Sequence, residues 1–129
     1  QVGSCIVDPS KRIVGIGYNG LPTGLSDDAF PWQREGEFTN TKYAYVVHAE
    51  LNAILNAPRQ VKGCSLYVSL FPCNECAKAI IQSGIKELVY EDDKYADTDA
   101  VLVSKRMLKA AGVSIRKTDH QVSVSLEVL

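Results

Sequence analysis

Two short runs of apolar, β-branched residues open the chain, and a polar turn separates them. The runs span residues 1–8 and 12–18, with Pro9, Ser10 and Lys11 between them. Branched side chains favour the pleated geometry of strands, whereas Pro and Ser favour turns. The pattern therefore predicts an antiparallel β-hairpin.

The second half of the chain alternates apolar runs with segments of helical character. Helix-forming residues fill 49–56 (AELNAILN), 74–83 and 98–111, which stop at or just before Pro58, Gly84 and Gly112. These breakers are typical helix ends. Strands are predicted at 66–70, 88–90 and 113–117, with an edge strand over 122–129. Alternation of this kind indicates parallel strands joined by crossover helices packed on the sheet.

Residues 19–42 have no periodicity and are rich in Gly, Pro, Asp, Asn and Thr. Such long loops are uncommon in compact domains and are often functional. No repeat or linker divides the chain, so we expect one domain over residues 1–129. A buried strand already begins at residue 2, and we therefore expect an N-terminal element to be missing.

Composition narrows the class of protein. The 129 residues are 46% hydrophobic and 22% charged, which is typical of soluble globular domains. A net charge of −1 argues against a large basic face for nucleic acid. No apolar run approaches the roughly 20 residues that span a bilayer, and no signal peptide is recognisable, so we expect a cytoplasmic protein without membrane contact.

Two short motifs carry candidate chemistry. His48-Ala49-Glu50 begins one predicted helix, and Pro72-Cys73-Asn74-Glu75-Cys76 begins the next. Cys73 and Cys76 lie three apart on a first helical turn, so their sulfurs project to the same side. A helix N-terminus favours the thiolate form. One imidazole and two thiolates would give Zn²⁺ three protein ligands and leave the fourth position for water, as in catalytic sites.

Other interpretations of these residues remain open. A lone C-x-x-C is also found in redox pairs, and a structural zinc site needs a fourth ligand at close spacing. Cys5 and Cys64 do not form the usual second pair, and we expect His120 on the surface. The joint H-x-E and P-C-x-x-C motifs match the signature of zinc deaminases, in which the glutamate transfers protons. This predicts Glu50 as the catalytic residue; the alternative is a carboxylate favoured only by the helix dipole.

The sequences HAELNAIL, YVSLFPCNECAKAIIQSGIK and GYNGLPTG resemble those of deoxycytidylate deaminases, and the resemblance extends over residues 1–117. It implies an α/β fold, a three-layer α/β/α sandwich with a mixed five-stranded sheet, and a helix before the first strand. It also implies zinc-dependent hydrolysis of dCMP to dUMP and ammonia, which supplies dUMP for thymidylate synthesis. Residues 21–47 contain no His or Cys for a second metal, so one zinc per chain is expected.

The same resemblance suggests further site residues. Asn19 would bind the sugar, although it could simply form a turn, and Ala49 would offer a backbone group to the base. The resemblance also implies a homohexamer in which an effector loop binds the activator dCTP or the inhibitor dTTP together with Mg²⁺. The candidate residues of this effector loop are Gly20, Gly24, Asp27 and Asp28. The alternative is that these residues form a surface loop without a binding function. For Tyr43, Tyr45 and Tyr95, packing and base stacking are equally open.

The alternatives to dCMP deamination are mostly activities of related zinc deaminases. A zinc deaminase could instead act on dCTP, on cytidine or deoxycytidine, or on a base in nucleic acid. The last would need a basic channel, against which the acidic stretch Glu91-Asp92-Asp93 argues. A non-enzymatic metal-binding or redox domain is the alternative from another class.

Overall fold

A mixed β-sheet is the centre of the fold in the computed structural model, which describes residues 2–119. Within those residues the sheet has five strands in the order β2-β1-β3-β4-β5. Pairing is antiparallel from β2 to β3 and parallel from β3 to β5. The strands are β1 Gly3–Val7, β2 Ile13–Tyr18, β3 Ser65–Leu70, β4 Glu87–Asp92 and β5 Ser114–Lys117. The predicted mixed sheet is confirmed. Residue 1, His120 and the edge strand predicted at 122–129 lie outside the described residues.

Three helices pack side by side against the sheet. They are α1 Ala49–Asn56, α2 Asn74–Gln82 and α3 Asp99–Ala110, and α2 contacts both of the others. Right-handed β3–α2–β4 and β4–α3–β5 crossovers put α2 and α3 on the same face. Residues 2–119 thus supply the sheet and one helical layer of the predicted sandwich. The loop between β2 and α1 contains two 3₁₀ turns, Phe38–Asn40 and Lys42–Ala44.

The hydrophobic core lies between this helical layer and the sheet. Alternate residues of β1 and β3 point into it, and the small or branched residues of the helices cover them. Its members include Ile6, Leu66, Val68, Leu88, Ala53, Ala77, Ile80 and Leu108. The apolar faces of α1 and of residues 77–81 are therefore used inside the domain.

The backbone of α1 lies unusually close to β2. A methyl group on Gly17 would stand 2.1 Å from the carbonyl oxygen of Ala49, and one on Gly15 would stand 2.6 Å from that of Ala53. Real Cβ atoms do not approach backbone oxygens this closely, so only glycine fits at these two positions. This contact brings the N-terminus of α1 beside the end of β2.

No helix among residues 2–119 is long and apolar enough to cross a membrane.

Candidate metal centre and catalytic site

Three potential metal ligands converge where α1 and α2 begin. His48 and Cys73 are the residues immediately before α1 and α2, both with extended backbone, and Cys76 lies in the first turn of α2. The Nδ1 atom of His48 lies 3.5 Å from the Cys73 sulfur and 3.4 Å from the Cys76 sulfur. All three ligand atoms lie within 4.8 Å of one another. The two helix N-termini thus point at a common position.

This donor set fits a zinc ion. Zinc bonds of about 2.3 Å to sulfur and about 2.0–2.1 Å to imidazole nitrogen place tetrahedral N and S ligands about 3.5 Å apart. The separations of 3.4 and 3.5 Å match that geometry. Two sulfurs and one nitrogen also suit this borderline-soft cation. Three protein ligands leave one tetrahedral position for water or substrate.

The two thiols are electrostatically coupled. A hydrogen bond from Cys76 and another from His48 hold the pKa of the Cys73 thiol well below its usual value. The same pairing raises the pKa of Cys76, since the shared proton stays on its sulfur. His48 gains positive character, because its hydrogen bond to Cys73 raises the pKa of the imidazole. A divalent cation between these groups would take the place of the shared proton and favour both thiolates.

Glu50 is buried beside the three ligands. It is the second residue of α1 and only 4% exposed. Burial raises the pKa of its carboxyl to about 7, and the nearby His48 opposes that rise only in part. A carboxyl group with a pKa near neutrality can both accept and donate a proton at physiological pH.

A cavity of about 170 Å³ opens beside these groups. Asn19, His48, Glu50 and Cys73 form its polar side. The rest of its wall comes from the end of β3, the turn before α3 and the first turn of α3, together with one residue before β1: Val2, Leu70, Phe71, Tyr95, Thr98, Ala100 and Val101. The cavity is thus polar at the ligands and largely apolar elsewhere, as small-molecule sites commonly are.

The predicted substrate residues Asn19 and Ala49 are bonded to each other. The side-chain oxygen of Asn19 accepts the Ala49 N–H at 2.8 Å, and the Ser4 hydroxyl donates to the Ala49 carbonyl at 2.7 Å. The Ala49 amide is therefore already used, and its carbonyl also accepts the Ala53 N–H as an internal hydrogen bond of α1. Asn19 keeps its NH₂ group as a donor. The substrate roles of both residues stay predictions.

The predicted effector residues lie on a separate, exposed loop. Gly20 is tied to the chain before α1, because its N–H and carbonyl both bond to Val47. Gly24 has a φ of +93°, and Asp27 accepts the indole N–H of Trp32 through its carbonyl. None of the four, Gly20, Gly24, Asp27 or Asp28, lines the cavity. Effector binding by this loop stays a prediction.

The tyrosines have different surroundings. Tyr95 lines the cavity and is 50% exposed, a position from which it could stack on a ligand. Tyr45 packs against Phe30 and donates its hydroxyl to Thr39. Tyr43 is exposed on the surface.

Several residues of the cavity wall were not predicted from the sequence. Phe71 could have been found from its place two residues before Cys73, and Thr98 from its cap, because its hydroxyl oxygen accepts the Val101 N–H. Val101 and Leu70 carry no local signal, since only the tertiary structure brings the start of α3 and the end of β3 to the same cavity.

The chain is similar to proteins of known activity. A family model for the cytidine and deoxycytidylate deaminase zinc-binding region matches residues 1–92. Human deoxycytidylate deaminase is 58% identical over 119 residues, which cover 91% of this chain and 67% of the human one. A probable deoxycytidylate deaminase of Drosophila melanogaster is 53% identical over 124 residues, covering 91% and 61%.

Solved structures agree with the sequence matches. The dCMP deaminase of cyanophage S-TIM5, in complex with dCMP and dUMP, superposes with a TM-score of 0.68 at 27% identity, covering 92% of this chain and 81% of the phage chain. The family match, the highly identical relatives and the shared fold all point to the same family. The chain belongs to the cytidine and deoxycytidylate deaminase family of zinc-binding enzymes.

Proposed function

We propose that this enzyme hydrolyses dCMP to dUMP and ammonia, with one zinc per chain bound by His48, Cys73 and Cys76 and with Glu50 as the catalytic residue. The observation that carries the proposal is the convergence of three ligand atoms within 4.8 Å beside a buried carboxyl group. Two findings support dCMP as the substrate. Relatives up to 58% identical are deoxycytidylate deaminases, and the cyanophage relative was solved with dCMP and dUMP.

The reaction exchanges one bond for another at C4 of the pyrimidine. A C–O bond to water forms, the C–N bond breaks, and ammonia leaves. Zinc held by these ligands supplies Lewis-acid chemistry that lowers the pKa of water towards about 7. Glu50 accepts one proton from water and transfers it to the ring nitrogen N3; it then accepts the second proton of the same oxygen and delivers it to the departing amine. Its burial keeps solvent from competing for these transfers.

The remaining cavity residues position the substrate. Asn19 donates through its NH₂ group to the sugar, and Ala49 is the backbone position that the family resemblance assigns to the base. Tyr95 covers the pyrimidine, since an exposed ring at a cavity wall offers a face for offset stacking. The roles of Asn19 and Tyr95 follow from their positions at the cavity, whereas that of Ala49 follows from the family resemblance alone.

Control by nucleotides is the second part of the proposal. We infer that the enzyme is a homohexamer that dCTP activates and dTTP inhibits, and that it supplies dUMP for thymidylate synthesis. Gly20 anchors the exposed loop through its bonds to Val47, and Gly24 offers its backbone N–H to the triphosphate, as anion-binding nests do. Asp27 and Asp28 would bind the accompanying Mg²⁺, a cation that prefers carboxylate oxygen.

A substrate panel tests the chemistry. Ammonia release is measured from dCMP, dCTP, cytidine, deoxycytidine and a single-stranded oligonucleotide, and kcat/KM is compared. We expect a clear preference for dCMP, because each charge-assisted bond to a phosphate contributes about 1.5–3 kcal/mol. Equal turnover of deoxycytidine would instead indicate a nucleoside deaminase.

Elemental analysis tests the metal site. We expect one zinc per chain, lost or much weakened in His48→Ala, Cys73→Ala and Cys76→Ala. Cys5→Ala is the matched control, because Cys5 lies in β1 and is not one of the converging ligands. Two zinc ions per chain, or full retention in the three variants, would contradict the site.

A further inference from the structure

Two segments of backbone run antiparallel beside the candidate metal centre. One follows β2 and consists of Tyr18, Asn19 and Gly20; the other leads into α1 and consists of Val47, His48 and Ala49. Gly20 and Val47 exchange both backbone hydrogen bonds, at 3.1 and 2.7 Å. The Ala49 N–H donates to the Asn19 side chain at 2.8 Å. His48 is thus held on both sides by bonds to the β2 segment.

Asn52 closes this arrangement from one turn further along α1. Its side-chain NH₂ group donates to the Tyr18 carbonyl at 2.7 Å and reaches the Val47 carbonyl at 3.5 Å. Tyr18 immediately precedes Asn19, and Val47 immediately precedes His48. One amide group therefore touches the backbone next to a predicted substrate residue and next to a predicted zinc ligand.

The packing leaves Asn52 little freedom. A methyl group on Gly17 would stand 3.0 Å from the Asn52 Cβ and 2.5 Å from the Ala53 nitrogen, so the helix lies directly on the strand. Asn52 is only partly exposed, and its amide has two carbonyls within reach. In Asn52→Asp, a carboxylate oxygen would replace the NH₂ group and face the two carbonyl oxygens with no proton to donate. In Asn52→Ala, the two carbonyls would lose this donor.

We propose that Asn52 is a positioning residue that fixes His48 for metal binding and Asn19 for substrate binding. The inference rests on the proposed function. Asn52 touches neither zinc nor substrate and acts through the backbone of Val47 and Tyr18. Partners that orient a metal ligand commonly change metal affinity 10–100-fold when removed, because the ligand then samples positions in which it does not bind.

Zinc affinity separates this role from a general contribution to folding. Asn52→Ala and Asn52→Asp are compared with the unsubstituted enzyme by competition with a chromophoric chelator, and thermal unfolding of each zinc-loaded protein is recorded alongside. Asn56→Ala is the matched control, since Asn56 is an exposed asparagine of the same helix. Val113→Ala, a truncation of a buried residue before β5, controls for lost stability.

We expect both Asn52 variants to bind zinc about 10–100-fold more weakly, while the Asn56 and Val113 variants keep the affinity of the unsubstituted enzyme. With zinc at saturation, KM for dCMP should remain raised in Asn52→Ala, because Asn19 is displaced as well. Should Asn52→Asp fail to fold, Asn52→Ala introduces no charge and carries the test. Unchanged zinc affinity in Asn52→Ala, or an equal loss in Val113→Ala, would overturn the inference.

The failure of this inference differs from failure of the proposed function. Loss of zinc in His48→Ala with unchanged affinity in Asn52→Ala would leave the metal site intact and remove only the positioning role. Retention of zinc in His48→Ala would contradict the metal site itself.

Discussion

At the scale of single residues, burial gives neighbouring groups different roles. His48, the proposed metal ligand, is exposed and lies immediately before α1 with extended backbone. Glu50, the proposed proton carrier, is buried and is the second residue of α1. Because one residue lies before the helix and the other inside it, the two side chains can be neighbours in sequence without competing for the same position.

Glu50→Gln separates catalysis from metal binding. The amide has nearly the same shape as the carboxyl but cannot carry the proton, so turnover should fall at least about 10²-fold while zinc and fold are kept. Ammonia release and zinc content are measured on the same preparation. Glu75→Gln is the control, because Glu75 is exposed and pairs with Lys78 on the surface. Loss of zinc in Glu50→Gln would mean that the carboxyl is a ligand.

Two buried or half-buried serines should respond in opposite directions to alanine substitution. The Ser104 hydroxyl is buried and has no hydrogen-bond partner among residues 2–119. Ser104→Ala should therefore keep or raise the free energy of unfolding, by up to about 1 kcal/mol. Ser83 donates to the Ile80 carbonyl at 2.9 Å, and Ser83→Ala should lower it by about 1 kcal/mol. Urea unfolding measures both; a clear loss in Ser104→Ala would reveal a partner for its hydroxyl.

At the scale of elements, the contact between β2 and α1 links the sheet to the site. Gly17→Ala should force α1 away from β2, because the added methyl group would meet backbone atoms that cannot rotate aside. We expect a loss of stability of more than about 2 kcal/mol and weaker zinc binding. Gly20→Ala is the matched control, since nothing lies within 4 Å of its added methyl group and its φ is not positive. Equal effects of the two substitutions would contradict the close contact.

Asp8, in the turn between β1 and β2, should make the stability of the fold depend on pH. The pKa of Asp8 is held below its usual value, first by the backbone N–H of Arg12 and also by Arg59 and the N–H of Ser10. A carboxyl group whose pKa is lower in the folded than in the unfolded protein stabilises the fold at pH values above its unfolded pKa of about 3.9. This stabilisation is lost as the pH falls through the pKa of the folded protein.

Asp8→Asn removes that charge. The variant should be less stable than the unsubstituted protein at pH 7, and the gap should narrow on acidification to about pH 3 and below. Thermal midpoints across this range check the expectation. Asp97→Asn, at an exposed position outside the turn, serves as the control. A gap that stays constant with pH would show that Asp8 acts by shape and not by charge.

At the scale of the whole molecule, the proposed assembly must use surfaces other than the apolar faces of α1 and α2, which the core already occupies. Exposed apolar side chains remain elsewhere on the described part of the chain, including Ile13, Leu55, Leu102 and Val103. Isolated ones are normal, so their exposure alone does not define an interface.

Assembly and control are checked together. We expect light scattering to give a hexamer mass, and the dCMP saturation curve to be sigmoidal alone and hyperbolic with dCTP. Because coupling between two sites is reciprocal, dCTP should also bind more tightly when substrate occupies the active site. A monomer mass, together with rates that dCTP and dTTP leave unchanged, would contradict this part of the proposal and leave the zinc chemistry untouched.

The sequence by itself determined what depends on neighbours along the chain. Helix α1 begins and ends where its helix formers and Pro58 predict. The spacing of Cys73 and Cys76 is one helical turn, so their shared orientation needed no tertiary information. Strand β4 extends beyond the predicted 88–90 to Glu87–Asp92, because pairing with β3 and β5 recruits polar residues that carry no strand signal of their own.

Only the tertiary structure decided which distant groups meet. The bond from the Ala49 amide to Asn19 spans 30 residues, and the one from Asn52 to Tyr18 spans 34. The wall of the cavity at Val101 and Tyr95 depends on where α3 packs beside α2 and β5. Periodicity and spacing encode geometry within a turn or a strand, whereas these contacts depend on strand order and helix packing. The motifs thus identified candidate reactive groups, and the fold decided which of their hydrogen bonds are already formed within the protein.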